Sequence, residues 1–298
     1  MPPVARLALL LAGWLVACAP HRQPVPPPPA RAAADVAQET KLDNGFLTVR
    51  VEVPPAPAGP KPVVVSPLGE RDALRSAGAV VITYEANWQL LEPFKAGQPP
   101  PKNTVGVWLL ASPTPKTIGK GFFNLIDYYA NTAIPKVLDY VTTLPEVDPT
   151  RIGIAGSSTY GFIALQAVAA DRRLAAAAAV LACGDYRTFL HYSNLAMNGQ
   201  PLDLDEGYAR WIDAQDPALH PERLVHAAVL MINGTADQAI PIRCVRNTGR
   251  VLRRAYARAG VPERFRLRIL NGVAHVQNEE TRHEVLAWWD RWLLRPSK

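Results

Sequence analysis

The chain has 298 residues, 48% of them hydrophobic, and a formal charge of +6 at pH 7. That is enough apolar material for one large α/β domain, and it excludes the apolar-poor, highly charged compositions of disordered chains. The basic excess is distributed without lysine or arginine blocks, so a nucleic-acid partner is not indicated.

The first residues, MPPVARLALLLAGWLVACAP, carry Arg6 and then an apolar run from Leu7 to Ala17. The run is about half the ~20 residues that a bilayer-spanning helix needs, and it reads as an export signal over 1–17. Its end, Leu15-Val16-Ala17-Cys18, resembles the lipobox of bacterial lipoproteins. The resemblance implies cleavage before Cys18, acylation of that cysteine and a membrane anchor. Ala19 in the next position then implies sorting to the outer membrane, facing the periplasm. Residues 18–44 contain PHRQPVPPPPARAAADVAQET, rich in proline and alanine and poor in large apolar side chains, and read as a tether. The domain is expected over 45–298.

Within it, FLTVRVEVP (46–54) has the period of two of a strand, and PVVVSP (62–67) reads as a buried one. A short helix, ERDALRSAG (70–78), leads to the strand AVVITYE (79–85). Residues 86–118 contain PPP and a strand-like VGVWLLA (105–111), with no assigned place. A long helical pattern over 121–144 contains Pro135, which implies a kink or two segments. There follow RIGIAG (strand), SSTYGFIALQAVAA (helix), LAAAAAVLAC (strand), a connection over 184–224, HAAVLMING (strand), a helix over 243–258, FRLRIL (strand) and a last helix over 279–294. This alternation predicts a mainly parallel central sheet with helices on both faces. The arginine-rich stretch 243–260 places Val251, Leu252, Ala255 and Ala259 at helical spacing and reads as a solvated amphipathic helix.

Reactive groups in such sheets collect at the carboxyl ends of the strands. Three candidates lie at predicted ends. Gly156-Ser157-Ser158-Thr159-Tyr160 is one residue away from a GxSxG elbow, and only Ser158 has glycine two places before it. VLMINGTADQAIP ends a strand with Asp237 in a turn, and ILNGVAHVQNEE ends the next with His275 before the last helix. Single aspartates such as Asp185 and Asp216, and His191, His220, His226 and His283, read as structural or solvated.

From about residue 45 to the end the chain resembles α/β-hydrolases of the dienelactone hydrolase and prolyl-oligopeptidase-like groups, through DPTRIGIAGSSTYG, INGTADQAIP and NGVAH in the order Ser, Asp, His. The resemblance implies the α/β-hydrolase fold with a small cap, for which 184–224 is the candidate. It also implies Ser158 as nucleophile, His275 as general base and Asp237 as the carboxylate that orients the histidine. The oxyanion donors would be the backbone N–H groups of Thr159 and Leu68. The loop of Leu68 departs from the family pattern, reading Ser66-Pro67-Leu68-Gly69 where a His-Gly pair is usual. Tyr160 stands where the elbow usually has glycine; Gly161 is expected to relieve the crowding while the tyrosine ring fills space beside the elbow, its hydroxyl a candidate pocket group.

The expected activity is hydrolysis of a small-molecule carboxylic ester without metal or organic cofactor. Peptidase relatives carry a large propeller domain, whereas here the tether precedes the catalytic domain. The alternatives are a prolyl-oligopeptidase-like serine peptidase and a non-catalytic envelope binding protein. Cys183 and Cys244 fall near one edge of the expected site, and export makes a disulfide between them chemically feasible; their spacing leaves the pairing open.

Overall fold

The computed structural model describes residues 36–55, 59–65, 68–86, 115–194 and 205–295, without the side chains of 36 and 115–121. The expected leader with Cys18, Ser66 and Pro67 of the expected oxyanion loop, the strand-like run at 105–111 and part of the candidate cap lie outside the described residues.

Eight strands form one sheet: β1 (Val36–Leu42), β2 (Leu47–Val53), β3 (Lys61–Val65), β4 (Val80–Ala86), β5 (Val147–Ser157), β6 (Leu174–Val180), β7 (Ala228–Gly234) and β8 (Phe265–Leu270). Their order is β1-β2-β4-β3-β5-β6-β7-β8. The β1–β2 and β2–β4 pairs are antiparallel and the others parallel. This is the mainly parallel sheet expected from the strand and helix alternation, in the α/β-hydrolase fold that the resemblance implies.

One boundary is corrected. Residues 36–42, which the sequence reading assigns to the tether of 18–44, pair along their whole length with β2. The stretch VAQETKL is polar because β1 is an edge strand: Ala37, Gln38 and Glu39 face solvent, so no apolar alternation marks it. The domain therefore starts at or before Val36.

The strands nearest the middle are buried on both faces. Val63, Val64 and Val65 of β3 and Ala176 to Val180 of β6 are inaccessible to solvent, which is why they read as continuous apolar runs. The alanines of β6 give the helix after β5 room to approach. That helix, α4 (Thr159–Ala170), is buried from Gly161 to Val168, as expected of a helix that is apolar all round. It lies under a preceding helical segment that divides at the expected proline: α2 (Pro115–Tyr128) passes through a π turn (Tyr129–Ala133) into α3 (Ile134–Val141), with Pro135 in the first turn of α3. The backbone stays helical across the join, with Ala133 and Ile134 both right-handed, and the π turn lies where the proline removes a ladder N–H.

Helix α1 (Arg71–Ser76) joins β3 to β4, α7 (Ile242–Arg258) joins β7 to β8, and α8 (Glu279–Trp289) closes the domain. A Cβ on Gly153 would lie 2.8 Å from the Trp289 ring and 2.4 Å from Leu293, so the end of the chain packs directly on β5. The connection after β6 forms two short helices, α5 (Tyr186–Tyr192) and α6 (Glu206–Asp213). Tyr186 and Phe189 of α5 are fully buried against Phe123 and Phe162. These aromatics of the candidate cap serve the core.

Sheet order also locates the site. From β3 the chain turns to β4 on one side, and from β5 it turns to β6 on the other. The carboxyl ends of β3 and β5 therefore flank a switch point, where loops diverge and leave a crevice.

Candidate active site

Ser158 sits at the end of β5 and caps α4, with φ 56° and ψ −126°. Strand gives way to helix at this single residue, and the chain can turn so tightly only because two neighbours lack side chains. A Cβ on Gly156 would lie 2.0 Å from the Tyr160 carbonyl oxygen, and one on Gly161 would lie 2.6 Å from that of Val180. The Ser158 N–H donates to the Val180 carbonyl at 2.9 Å, tying the elbow to β6. Ser157 is still strand and is buried. A serine held at positive φ is strained, and such strain persists where the surroundings over-determine it.

The glycine question raised by Tyr160 is answered by this packing. Close approach to β6 falls on Gly161, one place later than the usual pattern, so position 160 is free to carry a ring. That ring lies 6.5 Å from Tyr84 and 5.9 Å from Tyr129, centre to centre. Burial holds the Tyr84 and Tyr129 hydroxyls well above the usual phenol range, with Tyr160 adding to the effect. Both stay neutral, and the cluster is packing with hydrogen-bonding capacity rather than a source of base.

His275 and Asp237 reach Ser158 from the loops after β8 and β7. His275 Nε2 is 2.9 Å from Ser158 Oγ, and His275 Nδ1 is 2.8 Å from Asp237 Oδ2. The Asp237 side chain is fully buried and that of His275 is 21% exposed. The second Asp237 oxygen accepts from the N–H groups of Ala239 and Ile240, each at 2.9 Å. Every lone-pair direction that matters is thus occupied, and the carboxylate is fixed in orientation. With Nδ1–H donating to Asp237, Nε2 is left as acceptor toward the serine hydroxyl.

The sequence did not reveal what joins these two loops. A Cβ on Gly234 would lie 2.0 Å from the Val273 carbonyl oxygen, so the strand end admits the histidine loop only because it is glycine. Thr235 N–H donates to the Leu270 carbonyl and Ala236 N–H to that of Val273, both at 2.9 Å. Thr235 Oγ1 accepts from Gly272 N–H at 2.8 Å and lies 3.2 Å from Asn271 Oδ1. The only sequence signal was the pair of short turn motifs, NGTAD and NGVAH.

The loop after β6 is restrained separately. Cys183 and Cys244 form a disulfide with Cα atoms 6.0 Å apart, joining this loop to the first turn of α7, beyond Asp237. Asp216 accepts from the N–H groups of Asp185, Tyr186 and Ala218 at 2.9, 2.6 and 2.7 Å. Burial outweighs these donors and pushes its pKa up to about 6. Asp185 caps α5 and accepts from Asn247 at 2.7 Å. Both aspartates are structural, as read. His191 and His283 are exposed on their helices, and His220 Nε2 lies 3.2 Å from the Asp213 carbonyl.

Thr159 opens α4, so its N–H has no carbonyl within the helix to meet. Leu68 is half-buried just beyond β3, across the switch point. A depression of about 360 Å³ beside Asp237 is lined by Tyr192, Asn194, Gln238, Pro241, Ile242 and Arg243. It lies on the aspartate side, and neither Ser158 nor Tyr160 lines it. Among the described residues no group of three or more His, Cys, Asp or Glu could hold a metal ion.

The prolyl oligopeptidase family model matches residues 132–296, more than half of the chain and all three polar residues of the site. The chain belongs to the prolyl oligopeptidase family. No curated protein matches the sequence. Among solved structures, an acylaminoacyl peptidase from Pyrococcus horikoshii is similar at 15% identity and TM-score 0.61, over 89% of this chain and 42% of that one. A protein described as a dienelactone hydrolase, from Klebsiella pneumoniae, is similar at 19% identity and TM-score 0.57, over 87% of this chain and 100% of that one. A glucuronoyl esterase of carbohydrate esterase family 15 from Caldicellulosiruptor kristjansonii is similar at 19% identity and TM-score 0.53, over 86% and 78%. The chain spans about two-fifths of the length of the peptidase. At these identities the likeness establishes the fold, which proteins described as peptidases and as esterases share.

Proposed function

We propose that this family member is a serine hydrolase acting on carboxylic esters through Ser158, His275 and Asp237. The observation that carries the reading is the continuous hydrogen-bonded chain from Ser158 Oγ through both imidazole nitrogens to a buried carboxylate. Ser158 Oγ attacks the ester carbonyl as Nε2 takes its proton. The resulting imidazolium is stabilised by Asp237, and the proton passes to the leaving alkoxide as the acyl-enzyme forms. Water then enters, giving its proton to His275 and attacking the acyl carbon to release the acid and restore the serine. The oxyanion at each stage would accept from the N–H groups of Thr159 and Leu68.

Ester is preferred to peptide because an amide nitrogen leaves poorly without aimed proton donation, which extended subsites usually position. The fold is shared with proteins described as a dienelactone hydrolase and a glucuronoyl esterase, which supports an ester substrate. A substrate panel tests the choice. Activated acetate and butyrate esters should turn over at neutral pH, and His275→Ala should abolish that turnover. Cleavage of an aminoacyl-arylamide with no comparable action on any ester would favour the peptidase alternative.

The anchor belongs to the same proposal. Acylation of Cys18 would hold the domain at the outer membrane on a tether ending near Val36. Cys18→Ser should abolish detergent partitioning; partitioning equal to the unmodified chain would remove the anchor.

A further inference from the structure

Helix α7 carries six arginines and no acidic residue in IRCVRNTGRVLRRAYAR. Its buried side is formed by Cys244, Val245, Thr248, Gly249, Leu252, Ala255 and Tyr256. Arg243, Arg246, Arg250, Arg253, Arg254 and Arg258 are all exposed, and at 3.6 residues per turn they fall within an arc of about 140°, along roughly 22 Å of helix.

None of the six is ion-paired among the described residues. Arg243 donates to the Tyr192 hydroxyl and lies over its ring, and Arg250 donates to Asn247. Elsewhere arginine meets carboxylate: Arg151 with Asp148, Arg173 with Asp171 and Asp139, Arg187 with Asp213, Arg268 with Glu280. Like charges three and four residues apart repel along the stripe, and nothing within α7 offsets that repulsion.

We infer that this stripe docks the domain on a membrane surface through anionic phospholipid headgroups. A straight helix presents its cations to a plane together, and the guanidinium fork matches phosphate oxygens. Among the described residues the one aromatic of α7, Tyr256, is buried, and the exposed Tyr192 lies only at the Arg243 end, so the stripe offers no row of rings on which successive bases could stack. It also lacks large exposed apolar side chains, so the contact is electrostatic adsorption without insertion and is lost in salt. The stripe begins with Arg243 on the rim of the depression beside Asp237, so docking would bring that edge of the site toward the bilayer.

The test is co-sedimentation of the full-length chain carrying Cys18→Ser, so that no acyl group contributes, with vesicles of phosphatidylcholine alone or with about 30 mol% phosphatidylglycerol. The readout is the ratio of the two partition constants, which cancels any attraction of the leader for neutral lipid. At about 0.05 M salt the ratio should be at least tenfold, and it should fall toward one at about 0.5 M. Arg246→Gln, Arg250→Gln, Arg253→Gln and Arg254→Gln together should bring it near one, while the four Arg→Lys changes should keep it high; melting curves of both variants establish that they fold. A ratio near one for the starting chain, an equal ratio in the glutamine variant, or retention on heparin without binding to anionic vesicles would overturn the inference.

Discussion

The two halves of the site are held in different ways. The serine side is fixed by exclusion: Gly156 and Gly161 press backbone against backbone with no room for a methyl group, and Ser158 is forced to positive φ. The aspartate and histidine side has one such contact, at Gly234, and is otherwise fixed by polar contacts between two loops, through Thr235, Ala236 and the Asp237 carboxylate. Steric positioning fails all at once, because a packed turn cannot relax by a few tenths of an ångström. Hydrogen-bonded positioning fails by degrees, each lost bond costing about 1 kcal/mol.

The largest effect is expected at the elbow. Gly156→Ala puts a methyl carbon 2.0 Å from a carbonyl oxygen, so α4 must move off β5, and either folding or the Ser158–His275 contact is lost. Soluble yield and ester turnover measure it, and near-normal values for both would refute the steric account. Asp237→Asn should leave the fold intact and lower kcat about 10⁴-fold, since an amide group no longer holds the required imidazole tautomer. Circular dichroism with steady-state kinetics checks both parts.

Smaller effects sharpen the other side. Cys183→Ser with Cys244→Ser opens a link across a separation of 61 residues and should cost about 2–4 kcal/mol in denaturant unfolding. Because Cys244 lies beyond the aspartate loop, kcat is expected to fall much less than in Asp237→Asn. The smallest change is Thr235→Val, which removes the acceptor of Gly272 N–H. It should cost about 1 kcal/mol of stability and lower kcat several-fold with KM nearly unchanged. A Thr235→Ser control, keeping the hydroxyl, should restore most of the rate.

The same division governs what could be read from sequence. Strands β3 and β6 announce themselves as apolar runs because both faces are buried, and the elbow and the two turn motifs place Ser158, Asp237 and His275 at strand ends. Edge strand β1 is polar and resembles tether. Gly234 and Thr235 look like ordinary turn residues, since their role depends on Val273 and Gly272 more than 35 positions away. The pairing of Cys183 with Cys244 depends likewise on the distance between two loops, which no local pattern encodes. The arginines of α7 were visible as an amphipathic face; their lack of carboxylate partners among the described residues became visible only with the fold.

The central claim is that Ser158 is an activated nucleophile. Incubation of the folded chain with a fluorophosphonate probe, followed by mass analysis of the labelled peptide, tests it most directly. The account predicts one label, on Ser158, absent in Ser158→Ala and strongly slowed in His275→Ala. A folded protein that takes no label, or takes it on a residue other than Ser158, would contradict it.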